Sequence, residues 1–326
     1  MTLRFVLLVW LAFGVASVCA SGSKEPSDKP ESSAKETIEP ADVYIRVALL
    51  RDEIELIRQH LGKPANKQPD LKVKNAVPRE VFFQSITLFR IVDRLSFDLT
   101  RQSAKIREIP TAAIRPFHVY EVVNQTIARV QFIKKYLKIE SVVKPLARNP
   151  DITPTEVFRS IVQANRQVNL LLQEQFSSSD VFQQVTLAVG YSARLQAAFP
   201  GPRIQRTPGF KPDKRSSDVY QQLVQCFQMV RTIARISNIK ILDLQEYTKE
   251  DATPSDVYAV ASLLVSELAF LHQQLDGAKP LRPVVYPGVK TPSDAYQRAM
   301  LLQSQLINLN HWASQKTDWL AKKQNP

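Results

Sequence analysis

The chain has 326 residues, of which 44% are hydrophobic and 23% charged, and its formal net charge is +12 at pH 7. That balance belongs to a folded protein and argues against a disordered or fibrous one. Eight glycines in the whole chain leave little for phosphate-cradling loops or tight hairpins, which counts against nucleotide-binding and strand-rich folds.

A single Arg4 precedes an apolar run from Phe5 to Val18 that is too short to span a bilayer. Val18, Cys19 and Ala20 have the small-x-small form of a cleavage site, so residues 1–20 are read as a signal peptide and the mature chain as exported, periplasmic or secreted. Cys19 raises the alternative of a lipid anchor, but Ala16 and Val18 make a poor lipobox. No later apolar stretch predicts a transmembrane span. Once the signal is removed Cys226 is the only cysteine, which rules out an intramolecular disulfide, and its apolar helical neighbours predict burial. Residues 21–38 are rich in Ser, Lys, Glu and Pro and are read as a flexible tether, with folded structure starting near Glu39.

From Glu39 onward one hexapeptide recurs: EPADVY, VPREVF, RPFHVY, TPTEVF, SSSDVF, RSSDVY, TPSDVY and TPSDAY. The copies begin at residues 39, 77, 115, 153, 177, 215, 253 and 291, a period of 38 residues broken by one step of 24. Thr253 with Asp256 has the form of a capping box with Pro254 at the first helical position. Thr153 with Glu156 and Thr291 with Asp294 repeat it, and Ser177 with Asp180 keeps it without proline. His118 replaces the acid and is the weakest match.

Each cap opens an amphipathic helix. Counting the proline or its serine equivalent as zero, position 14 reads Ile54, Val92, Val130, Val168, Ser192, Val230, Leu268 and Leu306. Position 17 reads Ile57, Leu95, Ile133, Leu171, Leu195, Ile233, Leu271 and Leu309. Steps of three and four residues define one buried face. The fold class is therefore all-α: a tandem helical repeat of about 38 residues, eight amphipathic helices of about 20 residues each, in two halves of four. The halves are 39–176 and 177–313, followed by a C-terminal helical tail at 314–326. The aromatic column at position 4, Tyr44 to Tyr296, is read as packing at each helix start and not as a stacking platform. The period is near that of tetratricopeptide arrays, but those carry two helices per unit and other signature columns, so no family is assigned.

Six Pro-rich linkers of about 16 residues join the helices. At about 3.3 Å per residue such a linker can return along a whole helix, so successive helices can run parallel with linkers lying over them. The 24-residue step is predicted to close an antiparallel hairpin between the fourth and fifth helices.

Net positive charge is concentrated in the linkers, with the acidic window 238–253 as the exception. Lys72, Lys74, Arg107, Arg206, Lys211 and Lys214 are the candidate anion-binding residues, on the expectation that the linkers gather on one side. The expected partner is a protein or an anionic envelope component such as a lipid headgroup, lipopolysaccharide or acidic polysaccharide, and nucleic acid is disfavoured. His60, His118, His272 and His311 lack metal-ligand spacing, and no catalytic motif or cofactor fingerprint is present. The favoured function is that of an exported, non-catalytic helical-repeat protein that binds or scaffolds in the cell envelope through a basic linker surface. The alternative is an enzyme or small-ligand sensor with a pocket between the halves, for which Asn124, Asn165 and Arg166 are the polar helix candidates. Asn165 replaces an apolar residue of other repeats at position 11, and its amide is expected at an exposed edge.

Overall fold

A computed structural model describes residues 38–67, 70–105, 110, 113–172, 176–201, 205–244, 250–279, 281 and 288–320. The expected signal peptide with Cys19, the expected tether up to residue 37, Arg107 and the residues from 321 lie outside the described residues. The described chain is all-α, with eight helices: α1 (Pro40–His60), α2 (Pro78–Thr100), α3 (Pro116–Tyr136), α4 (Pro154–Leu171), α5 (Ser178–Gln196), α6 (Ser216–Ile236), α7 (Pro254–Gln273) and α8 (Pro292–Gln315). Two short strands, β1 (Val73–Lys74) and β2 (Asp243–Leu244), pair antiparallel with Val73 opposite Leu244.

Every helix begins where a hexapeptide places it, and one interaction is common to all eight starts. The side chain three residues into the motif accepts a hydrogen bond from the backbone N–H at the N-cap. It does so from Asp42, Glu80, Glu156, Asp180, Asp218, Asp256 and Asp294, at 2.7–2.9 Å. His118 does the same work with Nδ1, 2.9 Å from the amide of Arg115. The reciprocal bond, from the backbone to the N-cap hydroxyl, is made at Ser177, Thr253 and Thr291, each at 3.3 Å. The Thr153 hydroxyl instead donates to Glu156. The reach-back acceptor is thus the constant element of the motif and the N-cap hydroxyl the optional one.

The apolar stripes are buried as the period requires. All residues at positions 14 and 17 are at most 3% exposed, Ser192 included. Cys226 is fully buried, its Sγ 3.7 Å from the carbonyl of Ala299, and burial pushes its thiol up to about 12. In the position-4 column Phe82, Phe158, Phe182 and Tyr220 are buried and Tyr44, Tyr120, Tyr258 and Tyr296 partly buried.

Helices α1 to α4 pack on one another, as do α5 to α8. In each set the first and second helices both lie against the third and fourth, so the second and third are neighbours in chain and in space, whereas the first does not pack chiefly on the second nor the third on the fourth. Pro40, Pro78, Pro116 and Pro154 converge with Val43, Val81, Val119 and Val157 around one small pit, which places all four starts at the same end of the first bundle. Ser178, Ser216, Pro254 and Pro292 do the same in the second. Both bundles are therefore parallel four-helix bundles, and the linkers carry the chain back. Linker 62–77 runs down α4: Asn66 bonds Gln163, the Val73 carbonyl accepts from Arg159, and the Ala76 amide donates to Thr155 Oγ1 at 3.1 Å. The same clip recurs from Lys214 to Ser293 (3.0 Å) and from Lys290 to Ser179 (2.9 Å). The small hydroxyl residue at the second helical position thus receives the incoming linker. Linker 138–153 is exposed along most of its length, with Val142 88% exposed, and is clipped by Arg148 to Glu39 and Asp42.

Two expectations are corrected. The short step between α4 and α5 closes no hairpin: α4 lies against α1 and α2, whereas α5 lies against α7 and α8. A parallel bundle ends with its fourth helix at the far end, and the short connection hands the chain to the next bundle there. The helical tail is also shorter than expected. The helix stops at Gln315, where Lys316 leaves helical geometry, and residues 317–320 turn so that Leu320 is buried and Trp319 meets Phe199 at 5.1 Å between centroids. α7 is long and apolar enough to cross a membrane, but 56% of its apolar window is buried inside the protein.

The cap analysis makes a prediction. Asp294→Ala removes the bonds to the Thr291 amide and hydroxyl together and is expected to lower stability by about 1–2 kcal/mol. Thr291→Val, which keeps the amide bond, should cost about half as much in urea denaturation.

Candidate functional site

The two bundles meet mainly through α2 and α7 and through β1 and β2. The start of α2 meets the end of α7, because Arg79 Nη2 lies 2.9 Å from Glu267 Oε2 and its guanidinium 4.1 Å from the Phe270 ring centroid. Farther along α2, Ile91 shares a cavity with Thr253, Asp256 and Ala259 at the start of α7. The facing helices are therefore antiparallel, and so are the bundles to which they belong.

The cavity, about 100 Å³, opens between α2 and α4 on one side and α7 on the other. Its apolar wall includes Phe158, Val162, Ile91 and Leu263, with Tyr220 and Tyr258 from the aromatic column. Its polar groups are mostly neutral: Gln84, Thr87, Asn165, Asn169, Thr253 and Ser255. Arg166 and Asp256 are its charged members, with Nη2 and Oδ1 3.9 Å apart. Tyr258 stacks on Phe176 at 3.8 Å and accepts a hydrogen bond from Gln184 Nε2 at 3.2 Å.

Asn165 does not sit at an exposed edge. It is 6% exposed, its Nδ2 donates to Gln84 Oε1 at 3.4 Å, and its Oδ1 has no hydrogen-bond partner within the protein. Asn169, one turn farther on, is 7% exposed and its Oδ1 likewise has none. The exposed-edge expectation fails because it treated the position as belonging to one helix, whereas α7 of the other bundle covers it. Asn124 takes no part: its Oδ1 accepts from Arg46 Nε at 2.7 Å between α3 and α1. Asn169 and Gln84 went unrecognised in the sequence, although an amide on a face that packs was the available signal.

The candidate anion-binding residues do not come together. Lys72 and Lys74 are exposed on the linker over α4, and Lys74 stands opposite Asp243 in the strand pair. Arg206 and Lys211 are exposed on linker 200–215, which is tied to α8 through Pro208 and Lys214. The Lys214 ammonium lies 3.4 Å from Asp218 and 4.8 Å from the Tyr296 ring centroid. The five described residues thus divide between the two bundles, since each linker is pinned to the helix it returns along. Among the described residues no group of three His, Cys, Asp or Glu side chains is placed to hold a metal ion.

A second buried polar cluster holds the bundles together beside the cavity. Glu80, wholly buried, accepts from its own N-cap amide at Val77 (2.8 Å) and from the Leu242 amide of the second bundle's linker (2.6 Å). Glu267 is also wholly buried, and Arg79 bridges the two carboxyls and donates to the Lys240 carbonyl. One guanidinium serves two carboxyls: burial raises both, and at Glu80 repulsion from Glu267 adds to it and brings that carboxyl to about 8. No family model, curated protein or solved structure matches the chain.

The raised carboxyls set a pH dependence. Between their ordinary range near 4.5 and about 8, the folded state holds protons that the unfolded state has released, so stability falls as pH rises through that window. Asp42, Glu156, Asp218 and Asp294 are lowered by the caps and their basic neighbours, and they oppose unfolding only above their unfolded range, so stability also falls toward acid. The urea midpoint is expected to peak near pH 4.5 and to decline from there to about pH 8. Glu267→Gln should flatten the alkaline decline; an unchanged decline would show that these carboxyls ionise as exposed ones do.

Proposed function

We propose that this chain is an exported, non-catalytic helical binding protein whose ligand occupies the cleft between the two bundles. One observation carries the reading: the Oδ1 atoms of Asn165 and Asn169 are buried beside a cavity with no protein partner. An unsatisfied buried acceptor costs about 1–3 kcal/mol; other buried side-chain atoms, among them Gln167 Oε1 and Asn310 Oδ1, also lack a protein partner, but these two share one cavity, where a bound molecule can complete both. The cavity sits where two separately built bundles meet, a common setting for ligand sites. Export follows from the N-terminal signal, and the basic linkers then serve to hold the protein near an anionic envelope surface in a salt-dependent way.

Leucine at Asn169 separates a binding role from a structural one. Asn169→Leu removes the orphaned oxygen and is expected to leave the protein as stable or about 1–2 kcal/mol more stable. The wild-type protein isolated from its native envelope should carry a small molecule by native mass spectrometry that the variant lacks. Wild-type protein free of any bound molecule, with the variant merely more stable, would leave the cavity as a packing defect.

A further inference from the structure

We infer, resting on the cleft reading above, that the ligand is uncharged and presents neighbouring hydroxyl groups, as a small polyol or the edge of a sugar ring does. Three features of the cleft select this chemistry over an ion or a hydrocarbon.

The first is charge. Arg166 and Asp256 face each other at 3.9 Å and are largely buried, so each opposes the other. The remaining lining side chains carry no formal charge. An anion or a cation entering the cleft would lose its hydration and meet no unopposed counter-charge, and this desolvation cost counts against both.

The second is hydrogen-bond polarity. The two orphaned atoms are acceptors, one helical turn apart on the same face of α4. A molecule that completes both must donate at least twice, which ordered water can also do and which a ligand must match to displace it. The Thr87 and Thr253 hydroxyls already donate to the Phe83 carbonyl and to Asp256, so toward the cleft they offer acceptor oxygens, while Ser255 supplies a hydroxyl that can donate or accept. A hydroxyl matches both kinds of partner because it too does both. A hydrocarbon would leave both amide oxygens unsatisfied.

The third is shape. About 100 Å³ is smaller than an engineered 150 Å³ cavity that takes benzene, so the enclosed part of the ligand is a few heavy atoms and not a whole disaccharide. The walls set Phe158, Tyr220 and Tyr258 against these polar groups. The C–H faces of a polyol carbon chain or sugar ring suit that apolar side, and its hydroxyls suit the other.

The test is calorimetric titration of the full mature chain with named probes: glycerol, a set of aldohexoses, a disaccharide, acetate, inorganic phosphate and methylammonium. The same titrations are run on Asn165→Leu/Asn169→Leu and on Asp52→Ala, an exposed position of α1 outside the cleft. The comparison between variants matters, because polyols stabilise proteins nonspecifically by exclusion from their surfaces. Saturable binding of an uncharged hydroxyl-bearing probe, weakened at least about tenfold in the double variant and unchanged in Asp52→Ala, is the expected result. Preference for glycerol over the sugars assigns a free polyol, and the reverse assigns a saccharide edge. Binding of acetate, phosphate or methylammonium that the double variant abolishes would overturn the ligand class and leave the cleft reading standing. Absence of saturable binding by every hydroxyl-bearing probe would overturn the class as well, while the molecule retained from the native envelope decides the cleft reading separately.

Discussion

The architecture depends on how each linker spends its length. A connection of about 16 residues can retrace a 20-residue helix, some 30 Å, so every helix in a bundle can start at the same end. The caps make that arrangement tolerable. Four helices pointing the same way align their dipoles, and the acidic residue three positions into nearly every motif sets negative charge against the positive ends. His118 is the one substitute that is not a carboxylate, and it preserves the hydrogen bond without a negative charge. Packing the two bundles antiparallel, start of α2 against end of α7, then sets the remaining dipoles in opposition.

The cleft follows from the same geometry. Each bundle packs its own core, and among the described residues the joint between them is made mainly by α2, α7, a two-residue strand pair, the Arg79–Glu80–Glu267 cluster and the Arg166–Asp256 pair. A joint that sparse leaves space. Polar residues on α4 can then lie under α7 without the dense packing that would have excluded them. Glu80 shows how economically the motif is used, since a single carboxylate caps α2 and receives the amide of Leu242 from the other bundle.

Local features were legible in the sequence because local residues determine them. Helix starts, the buried columns at positions 14 and 17, the burial of Cys226 and the possibility of a parallel return all rest on spacing within some 40 residues. What was not legible depends on pairs far apart in the chain. Asn165 looked like an edge residue because its cover, α7, begins almost ninety residues later. The hairpin at residue 172 was inferred from loop length alone, and the order of packing within each bundle overrode it. The placement of the basic linkers was not legible for a related reason, as net charge per window does not reveal which helix a linker is pinned to.

Parallel helix direction is the claim on which the linkers, the antiparallel joint and the cleft all rest. Spin labels on cysteines placed at Glu39 and Arg115, the N-caps of the neighbouring helices α1 and α3, test it in a chain carrying Cys19→Ser, with Cys226 too buried to label. The account predicts labels separated by about one interhelical spacing, near 10 Å between axes, and hence strong dipolar broadening. A separation of about 30 Å, the length of one helix, would mean that the two run in opposite directions and would contradict it.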